Sequence, residues 1–497
     1  MIIAASTYSV AMPKTIDDEL RTHLIREDRQ EDVCLASYSI SSGAKRSSAL
    51  IRRLYLPEPG ERHVHQNASF TSDYIFRVVQ DAAARGEGLV MLHSHPAGRV
   101  WQKLSLVDSE TESGYAGIAT TATRMPMIGM TLAGETGAWS ARAWLSRTET
   151  ADCESVRVVG DTIKTTFNPE LRPAPVETQA QRRTISAWGS ETQANIARTR
   201  VLVVGAGSVG LDVAQRLVAS GIETVGVMDF DAVEERNLDR MIGATRADAL
   251  LGRSKVEVAR RLLTSQATAA RPDIWTHDVS ICSPAGLAHA LDYDIIFSCV
   301  DRPWPRAVLN ELAYSDLIPV IDGGINIESD EIAGLSRATA RAHTLTPGRP
   351  CMVCIRQLNP SMVQLDKEGL LNDPEYIRRS GIDLDRAGQN VATMSATVSA
   401  LLLDQFVSLT AAPGGTGVPT PRCFHFRHHF LEHLNEEQTQ PGCRWEKYPG
   451  EGDARLALAI GHPMADALIA SRRRVARTPR QWLALVRDHV GRVILPK

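Results

Sequence analysis

Residues 199–220 read TRVLVVGAGSVGLDVAQRLVAS. Thr199–Val204 is an apolar run rich in β-branched side chains, which predicts a strand. Leu211–Ser220 carries its apolar residues at helical spacing. Between them stand Gly205, Gly207 and Gly210, a turn whose backbone amides, with the helix N-terminus behind them, can approach phosphates closely. The alternation continues outward: Thr224–Met228, Asp294–Cys299 and Ile318–Ile321 are further apolar runs separated by helical stretches. Strands alternating with helices predict a Rossmann-like, doubly wound, mostly parallel α/β sheet. The glycine spacing alone would serve NAD, FAD or ATP, and Asp229, ending the next strand, suits the ribose hydroxyls of each. The following stretch separates these options. Asp229–Met241 reads DFDAVEERNLDRM, and Gly252-Arg-Ser-Lys255 comes soon after. A dehydrogenase has no reason to set Asn237, Arg240 and Lys255 in this order, whereas a protein that neutralises a triphosphate during attack by a carboxylate does.

These elements resemble the ThiF/MoeB type of ubiquitin-activating-enzyme-like adenylyltransferase. The pattern is GxGxxG, then DxDxVxxxNLxR, then a lysine, then an aspartate after a strand, and the resemblance covers about residues 181–435. It implies that Asp229 holds the ribose of ATP, that Asp231 also belongs to the cofactor site, that Asn237, Arg240 and Lys255 contact phosphates, and that Asp301, after IIFSCV, holds Mg²⁺. An arginine ahead of the fold often reaches the γ-phosphate of the other protomer; RRTISAWG puts Arg183, or less favourably Arg182, in that place, and a homodimer follows as an expectation. The implied reaction is adenylation of the C-terminal glycine of a ubiquitin-like protein.

The first part of the chain reads as mixed α and β. Asp32–Ile40 is a candidate strand, Thr71–Arg85 has helical spacing, and Gly88–Leu92 is a short apolar run that ends in His93-Ser-His95-Pro. On a strand, positions i and i+2 share a face, so both imidazoles can reach one ion. Ser105 and Asp108, in SLVD at a helix start, share a face in turn. Two imidazoles and a carboxylate suit zinc, with the fourth position left to water. HSHPAGRVWQKLSLVD, residues 93–108, resembles the JAB/MPN (JAMM) zinc isopeptidases, over about residues 20–150, although the stretch between the histidines and the serine is about two residues longer than usual. The resemblance implies His93, His95 and Asp108 as zinc ligands, Ser105 as an oxyanion donor and a glutamate opening an N-terminal strand as general base. Glu31 fits that last place, with Glu27 and Glu19 as competitors.

The eight cysteines are too sparse for a disulfide scaffold and predict reduced thiols and a cytoplasmic protein. Cys351-Met-Val-Cys354 supplies one of the two CxxC pairs with which many relatives of the ThiF type hold a structural zinc. The second pair is incomplete: Cys443 is present, but Glu446 stands three residues later. Cys423, His425 and His429 are possible substitutes, and Cys351 or Cys354 is alternatively a nucleophile. No cysteine lies between Ile355 and Arg422, where a thioester cysteine of such enzymes usually falls. Cys282 and Cys299 read as buried strand residues.

The 497 residues carry 55 Lys plus Arg against 58 Asp plus Glu, a formal charge of −3, which argues against binding nucleic acid through its backbone. Ala396–Ala412 is interrupted by Asp404, so no membrane span is expected, and the N-terminus lacks the pattern of a signal peptide. The divisions expected are a metalloprotease region at 1–160, a linker at 161–180, an adenylation region at 181–445 and a helical extension at 446–497, with helical patterns at Pro463–Arg477 and Pro479–Val490. The joint reading is an activating enzyme that adenylates a ubiquitin-like protein, fused to a zinc isopeptidase (a hydrolase) that processes or removes the same modifier. Such fusions resemble bacterial ubiquitin-like conjugation systems, some antiphage, with a conjugating-enzyme-like protein as a further partner. The alternative is adenylation and processing of a sulfur carrier for thiocarboxylate formation.

Overall fold

The computed structural model describes residues 7–487 except 66, 331–333, 381–388, 435–439, 441, 475–478 and 484–485. The first half is one sheet with helices against it. Its strands are β1 (Thr7–Pro13), β2 (Val33–Ser42), β3 (Arg46–Tyr55), β6 (Gly88–His95), β7 (Met127–Ala133), β8 (Trp139–Trp144), β9 (Thr150–Val159) and β10 (Ile163–Phe167), with a small hairpin of β4 (Arg62–His65) and β5 (Asn67–Phe70) between. They pair in the order β1-β3-β2-β6-β7-β8-β9-β10, and β1 also pairs with β9, so the sheet closes on itself. Strand β6 shows why these residues form a two-sided element. Val90 and Leu92 join the core around helix Lys14–Leu24, while Leu89 and Met91 pack under helices Ser72–Arg85 and Leu106–Thr123. His93 and His95 continue the second set. Helix Ser72–Arg85 starts where Thr71 accepts a hydrogen bond from the Tyr74 amide and stops at Gly86 in the left-handed conformation.

The second half is an eight-stranded sheet of β11 (Val201–Val204), β12 (Thr224–Met228), β13 (Asp273–His277), β14 (Ile295–Ser298), β15 (Val320–Asp330), β16 (Gly334–Leu345), β17 (Arg422–His425) and β18 (Phe430–His433). The order is β13-β12-β11-β14-β15-β16-β17-β18. Pairings from β13 to β15 are parallel, and β15 to β18 form an antiparallel extension. Helices Ser208–Ala219, Lys255–Gln266 and Ala392–Thr410 cover one face, and Pro284–Ala290 and Pro303–Ser315 the other. This is the doubly wound arrangement expected of alternating apolar strands and helices. Helix Ser208–Ala219 begins three residues before the expected Leu211, because Gly207 already serves as its N-cap residue. Helix Ala392–Thr410 is by length and composition apolar enough to cross a membrane, an exception to the expectation of no such segment. Here it lays Val398, Leu402, Phe406 and Leu409 on the sheet.

Part of the expected linker is sheet: Ile163–Phe167 is β10, paired antiparallel with β9. The two halves meet through buried charge. Arg46 and Arg157, 1% and 0% exposed, both bond the Asp294 carboxylate, at 2.5 and 2.7 Å. Arg200 forms a two-bond pair with Glu154 at 2.7 Å, and Ser41 and Arg455 both donate to Asp316. The C-terminal extension is less helical than expected: the stretch from Gly450 to His462 is largely irregular, and helix Pro463–Arg474 follows. Of the expected helix at Pro479–Val490, residues 479–483 and 486–487 are helical, and the rest lie outside the described residues.

Candidate functional sites

In the first half, β6 runs to His95 and helix Leu106–Thr123 starts opposite it. The helix starts because Ser105 and Asp108 form a capping box: the Ser105 hydroxyl accepts from the Asp108 amide, and the Asp108 carboxylate accepts from the Ser105 amide. The SxxD spacing therefore has a local cause as well as a chemical use. It brings Asp108 Oδ2 to 3.5 Å from His95 Nε2 and 3.9 Å from His93 Nε2, and the two Nε2 atoms are 3.2 Å apart. A tetrahedral zinc with bonds of about 2.0–2.1 Å has ligand–ligand edges of about 3.3 Å, so the three atoms have the spacing of one face of such a site. Burial and the Arg142 charge push the His93 pKa down to about 3, which leaves a neutral ring with a lone pair to give. Burial raises the Asp108 pKa, but the Ser105 hydroxyl and both histidines outweigh it and hold the carboxylate ionised. The Ser105 hydroxyl donates to Asp108 Oδ2 at 2.7 Å. Glu31 precedes β2, half-buried, and its pKa is raised by burial while His95 and Asp108 act on it, so it stands beside the cluster.

Glu112, one turn after Asp108, is absent from the expected set. It is fully buried, accepts from Arg142 twice and from Trp144 Nε1 at 2.7 Å, and approaches His93 Nδ1 at 4.0 Å. Gln102 Oε1 lies 3.4 Å from His95 Nδ1. Gln102 thus contacts the far nitrogen of His95, as partners of metal-binding imidazoles do, while Glu112 stands near His93 and is bonded to Arg142 and Trp144. Read on its own, a glutamate in this helix passes for a surface residue; only Arg142 on β8 shows its role.

The second site is a cleft of about 670 Å³ at the carboxyl ends of β11, β12 and β14. Gly205, Gly207, Asp229, Asp231, Asn237, Arg240, Lys255 and Asp301 all line it, and Gly210 lies just inside the helix. Gly205 sits at φ +98°, and a Cβ there would meet Cys299 O at 2.4 Å. A Cβ on Gly210 would meet Gly205 O at 1.8 Å, whereas one on Gly207 would meet no atom within 4 Å. The first and third glycines are thus demanded by packing, and the second leaves open space where phosphate can approach. Asp229 accepts from the Ala206 amide at 2.7 Å and the Asp231 amide at 2.8 Å. Burial raises its pKa against the opposing pull of Lys255. Lys255 Nζ donates to Asp231 at 2.8 Å, and the charges of Asp229, Asp231 and Asp301 overcome its burial and hold it protonated. Arg240 is held by the Arg236 carbonyl and by Asp239. Asn237 caps its own turn by accepting from the Glu234 amide.

Arg183 is exposed in helix Arg182–Trp188 and does not line the cleft of its own chain. Arg306 and Arg341, unforeseen, do line it; both donate to Asp322, a fully buried carboxylate that they and Ser298 keep ionised. His462 of the C-terminal extension, also unforeseen, lines the same cleft.

The cysteines sort differently from the expected alternatives. Cys443 joins Cys351 and Cys354, with Cys351 Sγ 3.6 Å from Cys354 Sγ and 3.8 Å from Cys443 Sγ. Cys423 and His425 do not compensate there. They lie on β17 and cluster with Glu432 of β18, His425 Nε2 being 2.8 Å from its carboxylate. Burial raises the Cys351 thiol pKa strongly, which disfavours the thiolate that a free nucleophile would need. Cys282 is buried in a turn after β13 instead of in a strand, and Cys299 follows β14 at the edge of the cleft.

Residues 179–443 match the ThiF family. Over 140 residues the chain is 33% identical to the adenylyltransferase and sulfurtransferase UBA4 of Meyerozyma guilliermondii, covering 28% of this chain and 32% of that protein. It is 30% identical over 162 residues to the molybdopterin-synthase adenylyltransferase of Escherichia coli, covering 32% and 59%. It is likewise 30% identical over 167 residues to the sulfur carrier protein adenylyltransferase of Thermus thermophilus, covering 34% and 59%. The chain thus spans about a third to three-fifths of the length of these relatives. Among solved structures, Escherichia coli MccB with ATP is similar at a TM-score of 0.42 and 18% identity, over 54% of this chain and 74% of that one.

Proposed function

The chain belongs to the ThiF family, and from that premise we propose that its second half uses ATP to adenylate the C-terminal carboxylate of a small sulfur-carrier or ubiquitin-like protein. The single observation that carries this reading is the cleft, where a phosphate-accommodating turn, a ribose acid, Lys255, Arg240 and Asp301 converge. A carboxylate oxygen of the tail attacks the α-phosphorus, the bond from that phosphorus to the bridging oxygen breaks, and pyrophosphate leaves. Lys255 and Arg240 take up the charge that develops on the phosphate oxygens. Asp301 is the residue for Mg²⁺, which when bound shields the triphosphate. Arg183, exposed on its own chain, is free to complete the site of a second protomer in a homodimer. Relatives named for sulfur carriers and molybdopterin synthase support a sulfur carrier as the partner. The absence of a cysteine between Ile355 and Arg422 supports a reaction that stops at the adenylate or passes it to another protein's thiol.

One specific observation supports the wider reading, in which a JAMM-type zinc hydrolase shares the chain and trims or removes the same modifier in a conjugation system. It is the grouping of His93, His95 and Asp108 with Glu31 beside them. A neutral buried imidazole and an ionised carboxylate are the donor forms zinc requires. When bound, zinc supplies Lewis acidity and a water of near-neutral pKa. Glu31, its own pKa raised, is suited to take and return a proton, and Ser105 offers a hydroxyl at the rim. Cys351, Cys354 and Cys443 are the residues for a second, structural zinc, and Glu446 is their nearest candidate partner in sequence.

The test is ATP–pyrophosphate exchange in the presence of a small carrier protein ending in Gly-Gly. Exchange should require the carrier and vanish in Asp229→Ala and Lys255→Ala; exchange that persists in both ends the adenylation reading. Metal analysis of the same preparations should lose about one zinc per chain in His93→Ala, and unchanged zinc ends the hydrolase reading.

A further inference from the structure

Beyond β18 the chain returns across the sheet face that carries helix Pro303–Ser315. The Gly450 amide donates to Tyr314 O at 2.9 Å, Arg455 pairs with Asp316 at 2.6 Å, and the Leu456 amide donates to Glu311 at 3.0 Å. Trp304 Nε1 then donates to Leu458 O at 2.9 Å, and the Gly461 amide to Cys282 O at 3.1 Å. These bonds deliver His462 to the cleft. Its ring lies 5.1 Å from the Phe230 ring and 5.0 Å from the Trp304 ring, and its Nδ1 is 2.8 Å from Ser280 Oγ. His462 and Met464 line the same space as the glycine turn, Asp229 and Lys255.

The sheet order says which end of a nucleotide this is. The glycine turn follows β11, the ribose acid Asp229 ends the neighbouring β12, and Ser280 follows β13, one strand further out. Phosphate, ribose and base follow that order outward in nucleotide sites of this topology, so the base falls between Phe230 and the residues after β13, where His462 sits. A side chain reaching into a cleft is either a plug or a wall. The cleft keeps about 670 Å³ with the segment in place, well inside the range of roughly 300–1,000 Å³ for small-molecule sites. From Gly450 to Gly461 the segment is also tied down by these bonds at close intervals. Both observations favour a wall.

We propose that Gly461–Met464 form the outer wall of the nucleotide pocket and that His462 is the side chain that meets the purine base. The proposal rests on the adenylation reading and extends it, since it makes the C-terminal extension part of the nucleotide site. With Nδ1 engaged by Ser280, the ring offers Nε2 and its edge to the base, and Phe230 offers an aromatic surface beside it.

The experiment is calorimetric titration of the full-length protein with two probes, ATP and inorganic tripolyphosphate. Tripolyphosphate reports the phosphate end alone and doubles as a check that the variant is folded. His462→Ala should weaken ATP about tenfold and leave tripolyphosphate within about twofold. Lys255→Ala should weaken both. Equal losses for the two probes in His462→Ala, or an unchanged ATP affinity, overturn the base contact, and a tighter ATP affinity shows a plug and overturns the wall. Wild-type protein that binds neither probe overturns the adenylation reading, and this one with it.

Discussion

Replacing Gly207 and Gly210 by alanine, one at a time, separates packing from ligand approach within one turn. A β-carbon on Gly210 stands 1.8 Å from Gly205 O and 3.1 Å from Gly205 C. Non-bonded carbon contacts are comfortable at about 3.5–4.0 Å, so backbone in the turn itself must move by more than an ångström. Overpacking of this kind costs about 1–3 kcal/mol; at about 2–4 °C per kcal/mol for a domain of this size, Gly210→Ala should unfold several degrees below wild type. Gly207 has φ −85° and no atom within 4 Å of its virtual β-carbon. An alanine there gains about 0.4–1 kcal/mol from a stiffer unfolded chain and loses a few tenths as a poorer N-cap, so its unfolding temperature should stay within about 2 °C of wild type. The added methyl nonetheless occupies the space where phosphate must come against the turn, and ATP affinity should fall at least tenfold. Thermal unfolding and calorimetric titration of both variants provide the measurements. A Gly207→Ala protein that binds ATP as tightly as wild type would refute the placement of phosphate at this turn. A Gly210→Ala protein of undiminished stability would refute the packing argument.

Three further outcomes are expected. Glu112→Ala leaves the buried Arg142 guanidinium without its carboxylate, a change that typically costs about 3–5 kcal/mol; urea unfolding should show it, and zinc competition against a chelator should show affinity lowered about 10–100-fold. Asp294→Asn removes the one carboxylate shared by Arg46 and Arg157, and a loss of similar size in the urea midpoint is expected; a loss below about 1 kcal/mol would mean that water screens the cluster. Stability of the metal-free protein should fall on acidification, because burial holds the pKa of His93 and of the fully enclosed His343 down to about 3. The unfolded rings bind a proton below about pH 6.5, so between about 6.5 and 3 the unfolded state holds more protons and stability drops by up to about 1.4 kcal/mol per pH unit for each ring. A flat profile from pH 6.5 to 5 would contradict this.

What could be read from sequence was whatever is local. Thr224–Met228 is an apolar run closed by Asp229, and its strand has those bounds. Thr71–Arg85 carries its own cap and stop, and HSHP ends its strand within the four residues that name it. Residues whose meaning depends on distant partners stayed hidden. Glu112 becomes buried only when Arg142 arrives from β8, and Arg341 becomes a cleft residue only when Asp322 orients it from the neighbouring strand. β16 to β18 carry polar and charged side chains among their apolar ones and gave no run to see. Ile163–Phe167 lies beside prolines and reads as connector, yet it is the edge of the first sheet. His462 comes from a stretch without periodicity, placed by hydrogen bonds that no pattern along the chain announces.

The charge shared across the middle of the molecule also limits how it can be taken apart. Arg46 and Arg157 belong to the first sheet, and the carboxylate that neutralises them belongs to the loop before β14. Cutting between residues 167 and 179 would put the two arginines and the aspartate they share on separate fragments. Neither piece would be the module it was inside the whole, and mixing them would not restore the covalent closeness that now brings the charges together. Activities measured on excised fragments would therefore describe different molecules, and experiments on this protein should silence one centre by point substitution while keeping the chain intact.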